Sequence, residues 1–212
     1  MSLYLHGLGH FHADSVVTNQ FLTDLDIGTN EEWIMERVGI KTRRTVLPLD
    51  YIRETRNANP AGAGEAAMYT HAETGSKAAA IAMERAGVTK DDIGMVIAGS
   101  SKPEWSSPAE ACMIAQAMEI EAPAFDMNSA CTSMWVALYT LSMMRPEAVP
   151  EYVLLVTPES ITTAVDYSDR SASVLWGDCT TAAVVSTKVP SRIEMLNNTL
   201  ASHKEHHDAS YA

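Results

Sequence analysis

The sequence lacks any long hydrophobic run and has little positive charge. Its longest apolar stretches, such as residues 152–156, are far too short to cross a bilayer, and no basic region leads into an apolar one at the N-terminus. The net charge of −12 and a pI near 4.9 argue against a general nucleic-acid binder, which needs a basic face for phosphates. We therefore expect a cytoplasmic protein without membrane or nucleic-acid contacts, whose partners are small molecules or proteins.

Cysteine is scarce as well, and the three that occur are widely spaced. Cys112, Cys131 and Cys179 form neither a disulfide framework nor a paired zinc-ligand pattern. Free thiols in a reducing compartment are the simplest interpretation, and two of them are expected to be ordinary core residues. The seven histidines show no metal-ligand spacing with carboxylates, although His203, His206 and His207 cluster near the end. We predict no metal site.

A short stretch around Cys131 is the strongest candidate for chemistry. Residues 124–134 read as an apolar strand that stops at small polar residues and restarts as a helix, with Cys131 at the restart. Unpaired backbone N–H groups and the positive end of the helix dipole stabilise a thiolate over a thiol there. A buried structural cysteine is the alternative. Hydrolase chemistry on Ser129 or Ser133 is disfavoured because no Gly-x-Ser-x-Gly elbow surrounds either residue.

Short apolar strands alternate with helices along the rest of the chain, which predicts an α/β layered fold with a mostly parallel sheet. Helices are expected after a cap at Thr29 or Asn30, over 73–86, from Pro108 to Met118 and over 132–144. The last of these helices should be buried because it is apolar nearly all round. Strands are expected at 4–9, 93–98, from Phe125, and at 152–156, 174–176 and 182–186. Residues 10–30 look irregular, and residues 45–72, rich in Pro and Gly, look like a long loop.

A small basic island, formed by Lys41, Arg43 and Arg44, stands out in this acidic chain. Such a run is either a solvated surface paired with nearby acids or a contact for a phosphate, and the residues alone favour the first.

Four separated segments resemble the β-ketoacyl-acyl-carrier-protein synthase III group of the thiolase superfamily. They are Trp33 to Ile40 with Arg43-Arg44, Phe125-Asp126 through Ala130-Cys131, the strand leading to Glu159-Ser160, and Asp169-Arg170 with Trp176-Gly177-Asp178. The matches occur in the family's order and cover most of the chain outside residues 45–72. The resemblance implies a thiolase-like fold, here with a five-stranded, mostly parallel sheet and flanking helices.

The resemblance also implies roles for individual residues. Cys131 matches the cysteine that takes an acyl group from acyl-CoA, and its own N–H would lie close to the developing oxyanion. Trp33, Arg37 and Arg170 match contacts to the nucleotide of coenzyme A, which brings the basic island near a phosphate-bearing ligand. Acyl-CoA is then a substrate, no cofactor is required, an acyl carrier protein is a candidate partner, and a homodimer is expected.

Two departures from the family pattern matter. Cys179-Thr180-Thr181 replace a glycine-rich segment, which adds side chains where a close backbone approach is expected. The family's catalytic histidine and asparagine belong to a second, homologous half, and the sequence stops before it, because residues 206–211 resemble a segment just beyond the first half.

We interpret residues 1–212 as an N-terminal half with an insertion or loop at about 45–72. Truncation is favoured over a separate partner polypeptide, and the isolated piece should expose apolar surface and self-associate.

The leading functional hypothesis is an acyltransferase of the condensing type, in which Cys131 takes an acyl group from acyl-CoA for condensation with a malonyl thioester in fatty acid or related biosynthesis. A non-catalytic or split-enzyme interaction subunit is one alternative. The other is an acyltransferase that makes an ester or amide without a carbon–carbon bond.

Overall fold

The computed structural model of the protein describes residues 2–202. In chain order its strands and helices are β1 Leu3–Phe11, β2 Ser15–Thr18, α1 Asn19–Asp24, α2 Glu31–Arg37, β3 Thr42–Thr45, α3 Leu49–Thr55, α4 Ala63–Ala66, α5 His71–Ala86, β4 Ile93–Ala98, α6 Glu110–Ala117, β5 Ala124–Asp126, α7 Ser133–Met143, β6 Tyr152–Thr157, α8 Arg170–Ser173, β7 Thr180–Ser186 and β8 Ile193–Met195. The cluster of His203, His206 and His207 lies outside the described residues. Within them, no helix is long and apolar enough to cross a membrane.

The main sheet has six strands, in the order β5-β4-β6-β7-β1-β8, and β2 pairs with β3 in a separate ribbon. Strand β4 is parallel to β5 and β6, whereas β7 is antiparallel to β6 and β1, and β8 is antiparallel to β1. Strands β1, β4, β5 and β6 therefore point one way, so the predicted mostly parallel α/β layering is confirmed. The expected number of five strands was one too few, because β8 adds a short edge strand.

Local signals set the ends of the two clearest helices. Asn30 Oδ1 accepts a hydrogen bond from Trp33 N at 2.8 Å and so caps α2, one of the two caps predicted. Thr70 and Glu73 form a reciprocal capping box at the start of α5. Gly87 ends α5 in the left-handed region at φ 70°, where glycine carries no Cβ penalty. Helix α5 thus begins two residues earlier than predicted and stops where predicted.

One face of the main sheet, here called the helix-covered face, lies under α5 and α6. Its buried residues include Ala78, Ala79, Ala82 and Met83 of α5, Ala111, Ile114 and Ala115 of α6, and Val96, Leu154, Val156, Ala182 and Val184 of the strands. Helix α5 lies directly on β1: a Cβ added at Gly7 or Gly9 would stand 2.0 Å from the backbone oxygen of Ala82 or Ala78. Small residues on both elements allow this approach.

The opposite face, here called the open face, is covered only in part. Its strand residues alternate with those of the helix-covered face, so Val153 and Leu155 pack here against Ala137 and Leu141 of α7. Beside α7 runs an apolar groove of about 430 Å³ lined by Leu3, Leu5, Leu8, Met134, Trp135, Leu138, Thr181, Ala183, Val185, Ile193, Glu194 and Met195. The prediction that α7 is buried all round was wrong, because Trp135 is 67% and Met143 70% exposed.

Residues 45–72 are not the irregular loop that their prolines and glycines suggested. They contain α3 and α4, and Leu47, Ile52 and Ala63 are fully buried in a second core beside the sheet. The stretch 10–30 is likewise regular in part, since it forms β2 and α1. Both segments pack their apolar residues on each other, which the local sequence pattern does not reveal.

The strand expected at 174–176 is absent, and this prediction was wrong. Helix α8 ends at Ser173, and the backbone N–H groups of Leu175 and Trp176 both point back to the carbonyl of Ala172. Val174 is buried as a strand residue would be, but it caps a helical turn. The three-residue apolar run therefore indicates a buried position here, but not a strand.

Candidate active site

Cys131 lies in a tight turn between β5 and α7. Strand β5 ends at Asp126, and a single 3₁₀ turn, Ala130–Thr132, precedes α7. Ala130 has a positive φ of 45°, a conformation that costs free energy for a residue with a Cβ and is concentrated at functional turns. Ser133 holds this turn by donating from Oγ to Ala130 O at 2.7 Å and accepting from Ser129 N at 2.9 Å. The Cys131 side chain is exposed.

The polar residues before the turn fix its position against neighbouring elements. The two carboxylate oxygens of Asp126 accept from the backbone N–H groups of Glu110 and Ala111, each at 2.9 Å, and so tie the end of β5 to the start of α6. Asn128 Oδ1 accepts from Ser100 N at 2.9 Å. At Gly99, just after β4, an added Cβ would lie 2.6 Å from Met127 O, so the two chain segments touch only because residue 99 is glycine. Hydrogen bonds from α6 and from the loop after β4, with the close contact at Gly99, therefore fix the segment that leads to Cys131.

Cys131 opens into a cavity of about 230 Å³ at the ends of the central strands. This Cys131 cavity is lined by Gly99, Ala130, Cys131, Ser133, Met134, Thr157, Glu159, Cys179 and Thr181. Met134 and Thr181 also line the apolar groove, so the cavity adjoins the open face. Among its lining residues are two thiols and one carboxylate, and none is a histidine or an asparagine. The lining residues therefore offer two thiols and a carboxylate but no imidazole.

Glu159 was named in the sequence only as part of a matching segment, and its position is more specific than that. One oxygen, Oε2, accepts from Ser101 N at 2.9 Å, whereas Oε1 is buried with no hydrogen-bond partner in the part of the chain that the structure describes. Its place two residues after β6 is the signal that could have indicated it, because side chains at the carboxyl ends of neighbouring parallel strands converge.

Asp178 is the structural centre of the Trp176-Gly177-Asp178 segment. Its carboxylate accepts from Val46 N at 2.8 Å, from Thr162 N at 2.9 Å and from Thr162 Oγ1 at 2.6 Å, and its own N–H donates to Arg44 O. Burial raises the pKa of Asp178 above its ordinary value, against the lowering effect of these hydrogen bonds, and Glu159 raises it further. Asp178 thus joins β3, the 3₁₀ turn Ile161–Ala164 and β7 behind the Cys131 cavity.

The side chains that replace the family's glycines are accommodated. Thr180 is buried, and Thr181 Oγ1 is 2.5 Å from Thr157 Oγ1 across the β6–β7 pair. Cys179 lies half-buried on the cavity wall with Sγ 3.8 Å from His12 Nε2. Burial, and then the charge of Asp178, raise the pKa of the Cys179 thiol. Cys179 is therefore less suited than an ordinary exposed cysteine to act as a thiolate at neutral pH.

Trp33, Arg37 and Arg170 come together although 133 residues separate Arg37 from Arg170 in the sequence. The guanidinium carbon of Arg170 is 4.8 Å from the centroid of the Trp33 ring, and that of Arg37 is 5.5 Å away. Arg170 also donates from Nη1 to Gly28 O at 2.5 Å. Both arginines are exposed. The result is a half-buried aromatic ring beside two exposed guanidinium groups, a composition suited to stacking a base and pairing a phosphate.

The basic island does not form a surface of its own, and both interpretations of Arg43 were wrong. Arg43 is only 4% exposed, and its guanidinium donates to Val174 O at 2.8 Å and to Asn19 Oδ1 at 2.6 Å. Arg44 donates to the carbonyls of Ala13 and Asp14. Burial lowers the pKa of Arg43. Arg43 therefore joins β3, α1 and the end of α8, and it meets neither solvent nor phosphate.

No group of three or more histidine, cysteine or acidic side chains converges as a metal site within residues 2–202. The exposed Cys112, the remaining thiol, donates to Ala124 O at 3.4 Å and lies outside the Cys131 cavity lining.

A cysteine at the turn from strand to helix, on a mixed sheet of this order, places the chain among thiolase-fold proteins. The family model for 3-oxoacyl-[acyl-carrier-protein (ACP)] synthase III matches residues 125–203, which include Cys131, Glu159 and Asp178. By sequence and by fold the chain is related to the β-ketoacyl-acyl-carrier-protein synthases III, as its motifs indicated.

Individual relatives support this relation over most of the chain. The β-ketoacyl-[acyl-carrier-protein] synthase III of Chlamydia caviae is 31% identical over 195 residues, which is 92% of this chain and 52% of the relative. That of Oceanobacillus iheyensis is 31% identical over 186 residues, or 87% of this chain and 53% of the relative. The crystal structure of 3-oxoacyl-[acyl-carrier-protein] synthase III from Aquifex aeolicus VF5 matches with a TM-score of 0.72 at 28% identity, covering 88% of this chain and 54% of that one. The chain therefore spans about half the length of the curated relatives it matches.

Proposed function

We propose that the chain is the acyl-accepting half of a synthase III-type condensing enzyme. In the first step the Cys131 thiolate attacks the carbonyl carbon of an acyl-CoA. The carbon–sulfur bond to coenzyme A breaks, the coenzyme leaves as its thiolate and takes up a proton, and the acyl group remains on Cys131 as a thioester. The single observation that supports this assignment best is the position of Cys131, exposed at a positive-φ turn and within the region matched by the family model.

The turn suits the first step in two ways. The Ser133 hydrogen bonds hold the backbone of the turn that presents the exposed thiol. The backbone N–H of Cys131 would lie close to the oxygen on which negative charge develops, and such fixed donors stabilise the charge without reorganisation. We assign Cys131 as the nucleophile.

We further propose that Trp33, Arg37 and Arg170 bind the nucleotide of coenzyme A. Their convergence from α2 and α8 supports this role, since the resemblance pairs them and the fold brings them within stacking distance. Trp33 would stack the adenine, and the arginines would pair with phosphate. Binding the distant nucleotide end would orient the thioester for attack by Cys131.

The second step, condensation with a malonyl thioester in fatty acid or related biosynthesis, needs groups that the Cys131 cavity does not contain. We propose that a homologous second half supplies a histidine and an asparagine and covers the apolar groove of the open face. The share of each relative that the chain covers supports this division, as does the size of the groove. An acyl carrier protein as carrier of the malonyl unit, a homodimer, and a cytoplasmic location are part of the same proposal.

The first step is tested by mixing the protein with acetyl-CoA and measuring the free coenzyme A thiol released in a single turnover. We expect release of about one equivalent per chain, its loss in Cys131→Ala, and its retention in Cys112→Ala, the matched control at an exposed thiol outside the cavity. Equal release by wild type and Cys131→Ala would refute the assignment. Loss of release in Cys112→Ala alone would do the same.

The alternatives predict other outcomes. A non-catalytic interaction subunit releases no coenzyme A and still associates with a second half. An ester- or amide-forming acyltransferase releases coenzyme A and transfers the acyl group from Cys131 to an alcohol or amine when no malonyl thioester is present. Product analysis by mass after addition of each acceptor separates these cases from condensation.

A further inference from the structure

A second cavity, of about 360 Å³, lies beside the Cys131 cavity and has no part in the proposed acyl transfer. It is enclosed by residues 46–71, by the loop after β4, and by the turn after β6; the residues that matter below are Tyr69, His71, Lys102, Trp105, Ser160 and Thr163. We call it the Lys102 cavity. Its volume falls at the small end of the usual range for small-molecule sites, about 300–1,000 Å³.

Ser160 gives the first indication of a ligand. The residue is 7% exposed, and its Oγ is buried without a hydrogen-bond partner among residues 2–202. Most buried hydroxyl groups in proteins are hydrogen-bonded, because leaving one unpaired is costly. Ser160 lines the Lys102 cavity, so a molecule bound there would provide the missing partner.

Lys102 gives the second indication. Its side-chain ammonium donates to Thr163 Oγ1 at 2.6 Å, and no carboxylate in the described part of the chain forms an ion pair with it. An ammonium group has three donors, so two are left after the bond to Thr163. Lys102 is half-buried, and partial burial of a cation without a counter-charge is unfavourable. An anionic group in the cavity would supply that counter-charge.

Two acidic residues also line the cavity, and neither neutralises Lys102. Glu104 accepts from His71 N through Oε2 at 3.0 Å and holds the loop against the start of α5. Glu65 is exposed. Buried His71 pairs through Nδ1 with the carboxylate of Glu110, which also accepts from Glu104 N at 2.8 Å. These contacts fix the wall before any ligand arrives, which lowers the entropic cost of binding.

The two cavities are neighbours, but their lining side chains differ. The hydrogen bond from Ser101 N to Glu159 Oε2 lies in the wall between them, with Lys102 next along the chain on one side of it and Ser160 next on the other. Among residues 2–202, the charged side chain that lines the Cys131 cavity is Glu159, so this lining offers no cation to pair with an anion. The Lys102 cavity joins an ammonium group and two hydroxyls to the aromatic rings of Tyr69 and Trp105, and its two carboxylates, Glu65 and Glu104, form no ion pair with Lys102.

We propose that the Lys102 cavity binds a small organic carboxylate. The acid group accepts hydrogen bonds from the Lys102 ammonium and the Ser160 hydroxyl, and the carbon skeleton packs against Trp105 and Tyr69. The aromatic wall favours an organic acid over an inorganic anion. The proposal is independent of acyl transfer at Cys131.

Calorimetric titration with three probes tests the ligand class. Succinate carries the carboxylate, succinamide has a similar shape without charge, and inorganic phosphate has charge without a carbon skeleton. We expect saturable binding of one succinate, unchanged in Cys131→Ala, and binding of both other probes weaker by about tenfold or more. Binding of succinamide as tight as that of succinate would overturn the anion assignment. Binding of phosphate as tight as that of succinate would overturn the organic-acid assignment. Loss of succinate binding in Cys131→Ala would place the acid in the Cys131 cavity and overturn the proposal.

Substitutions test the residues. Lys102→Met should weaken succinate binding at least about tenfold and Ser160→Ala several-fold, whereas Lys102→Arg, which keeps the charge, should retain most of it. Lys188→Met removes the same charge at an exposed position after β7 and should leave binding unchanged. Equal losses in Lys102→Met and Lys188→Met would show a general charge effect and overturn the site. Circular dichroism confirms folding. If Lys102→Met fails to fold, weaker succinate binding in folded Ser160→Ala, with binding retained in Lys102→Arg and Lys188→Met, supports the site. Unchanged binding in folded Ser160→Ala would then overturn it.

Discussion

The two faces of the main sheet differ in how completely the chain covers them. On the helix-covered face, α5 and α6 bury an aliphatic layer that includes fully buried alanines of both helices. On the open face, α7 covers β4 and β6, while the β1 and β7 side chains line an apolar groove with Trp135 exposed at its edge. The Cys131 cavity adjoins the open face, so the proposed acyl transfer would take place next to the less covered surface.

This difference separates the residues that folding constrains from those that contact with a partner would constrain. Where α5 lies on β1, the helix-covered face allows small residues only, since the two elements are in backbone contact at Gly7 and Gly9. The open face retains large apolar side chains in contact with water, which a monomeric surface ordinarily avoids. A partner that covers them explains their retention, in agreement with the proposed second half.

The largest expected effect compares two adjacent residues of β1. Gly9→Ala places a Cβ 2.0 Å from Ala78 O on the helix-covered face and should lower the free energy of unfolding by about 3 kcal/mol or more. Leu8→Ala acts on the groove side, where Leu8 is 51% exposed, and should cost about 1 kcal/mol or less. Urea unfolding of both variants measures the difference, and equal losses would mean that the faces are equally packed.

A smaller effect is expected at the patch formed by Trp33, Arg37 and Arg170, the proposed site for the nucleotide of coenzyme A. Trp33→Ala removes the ring that both arginines approach and should weaken coenzyme A binding about tenfold, which is the cost of a lost stacked base of roughly 1–3 kcal/mol. Arg170→Lys should weaken it less, because lysine keeps the charge but loses the planar contact. Trp135→Ala on the open face is the matched control. Unchanged affinity in Trp33→Ala would remove the patch from the coenzyme A site.

The smallest expected effect on stability is at the exposed edge of the groove. Trp135→Glu should change the free energy of unfolding by less than about 0.5 kcal/mol, yet reduce self-association, because it puts a charge on the apolar surface. Ala80→Glu adds the same charge at an exposed position of α5 and should leave self-association unchanged. Sedimentation velocity at several concentrations compares the two. Equal association in both variants would show that the open face is not the contact surface.

Local sequence signals predicted the elements that local interactions determine. The β-branched run 93–98 is β4, and Thr70, Glu73 and Gly87 define α5 through caps that act within a few residues. The strand, turn and helix around Cys131 were predicted for the same reason. The family relation was predicted because four motifs combine chemistry with order, and chance seldom provides both.

Contacts between distant residues that no family motif marks could not be predicted. The burial of Arg43 depends on Asn19 and on a carbonyl 131 residues away, and nothing near residue 43 signals either. The Val174 run looked like a strand because burial alone was visible. Glu159 and Cys179 join Cys131 only through the pairing of β6 and β7, and the Lys102 cavity draws on three separate segments. Long-range packing determined each of these features.

The most direct test of the account is to locate the acyl group after the protein reacts with acetyl-CoA. Peptide mapping by tandem mass spectrometry compares Cys112, Cys131 and Cys179, of which two share the cavity and one lies outside it. We expect the acetyl group on Cys131 alone, and on neither other thiol in Cys131→Ala, since burial and Asp178 raise the pKa of the Cys179 thiol. Acetylation of Cys179 or Cys112 with Cys131 unmodified would contradict the account.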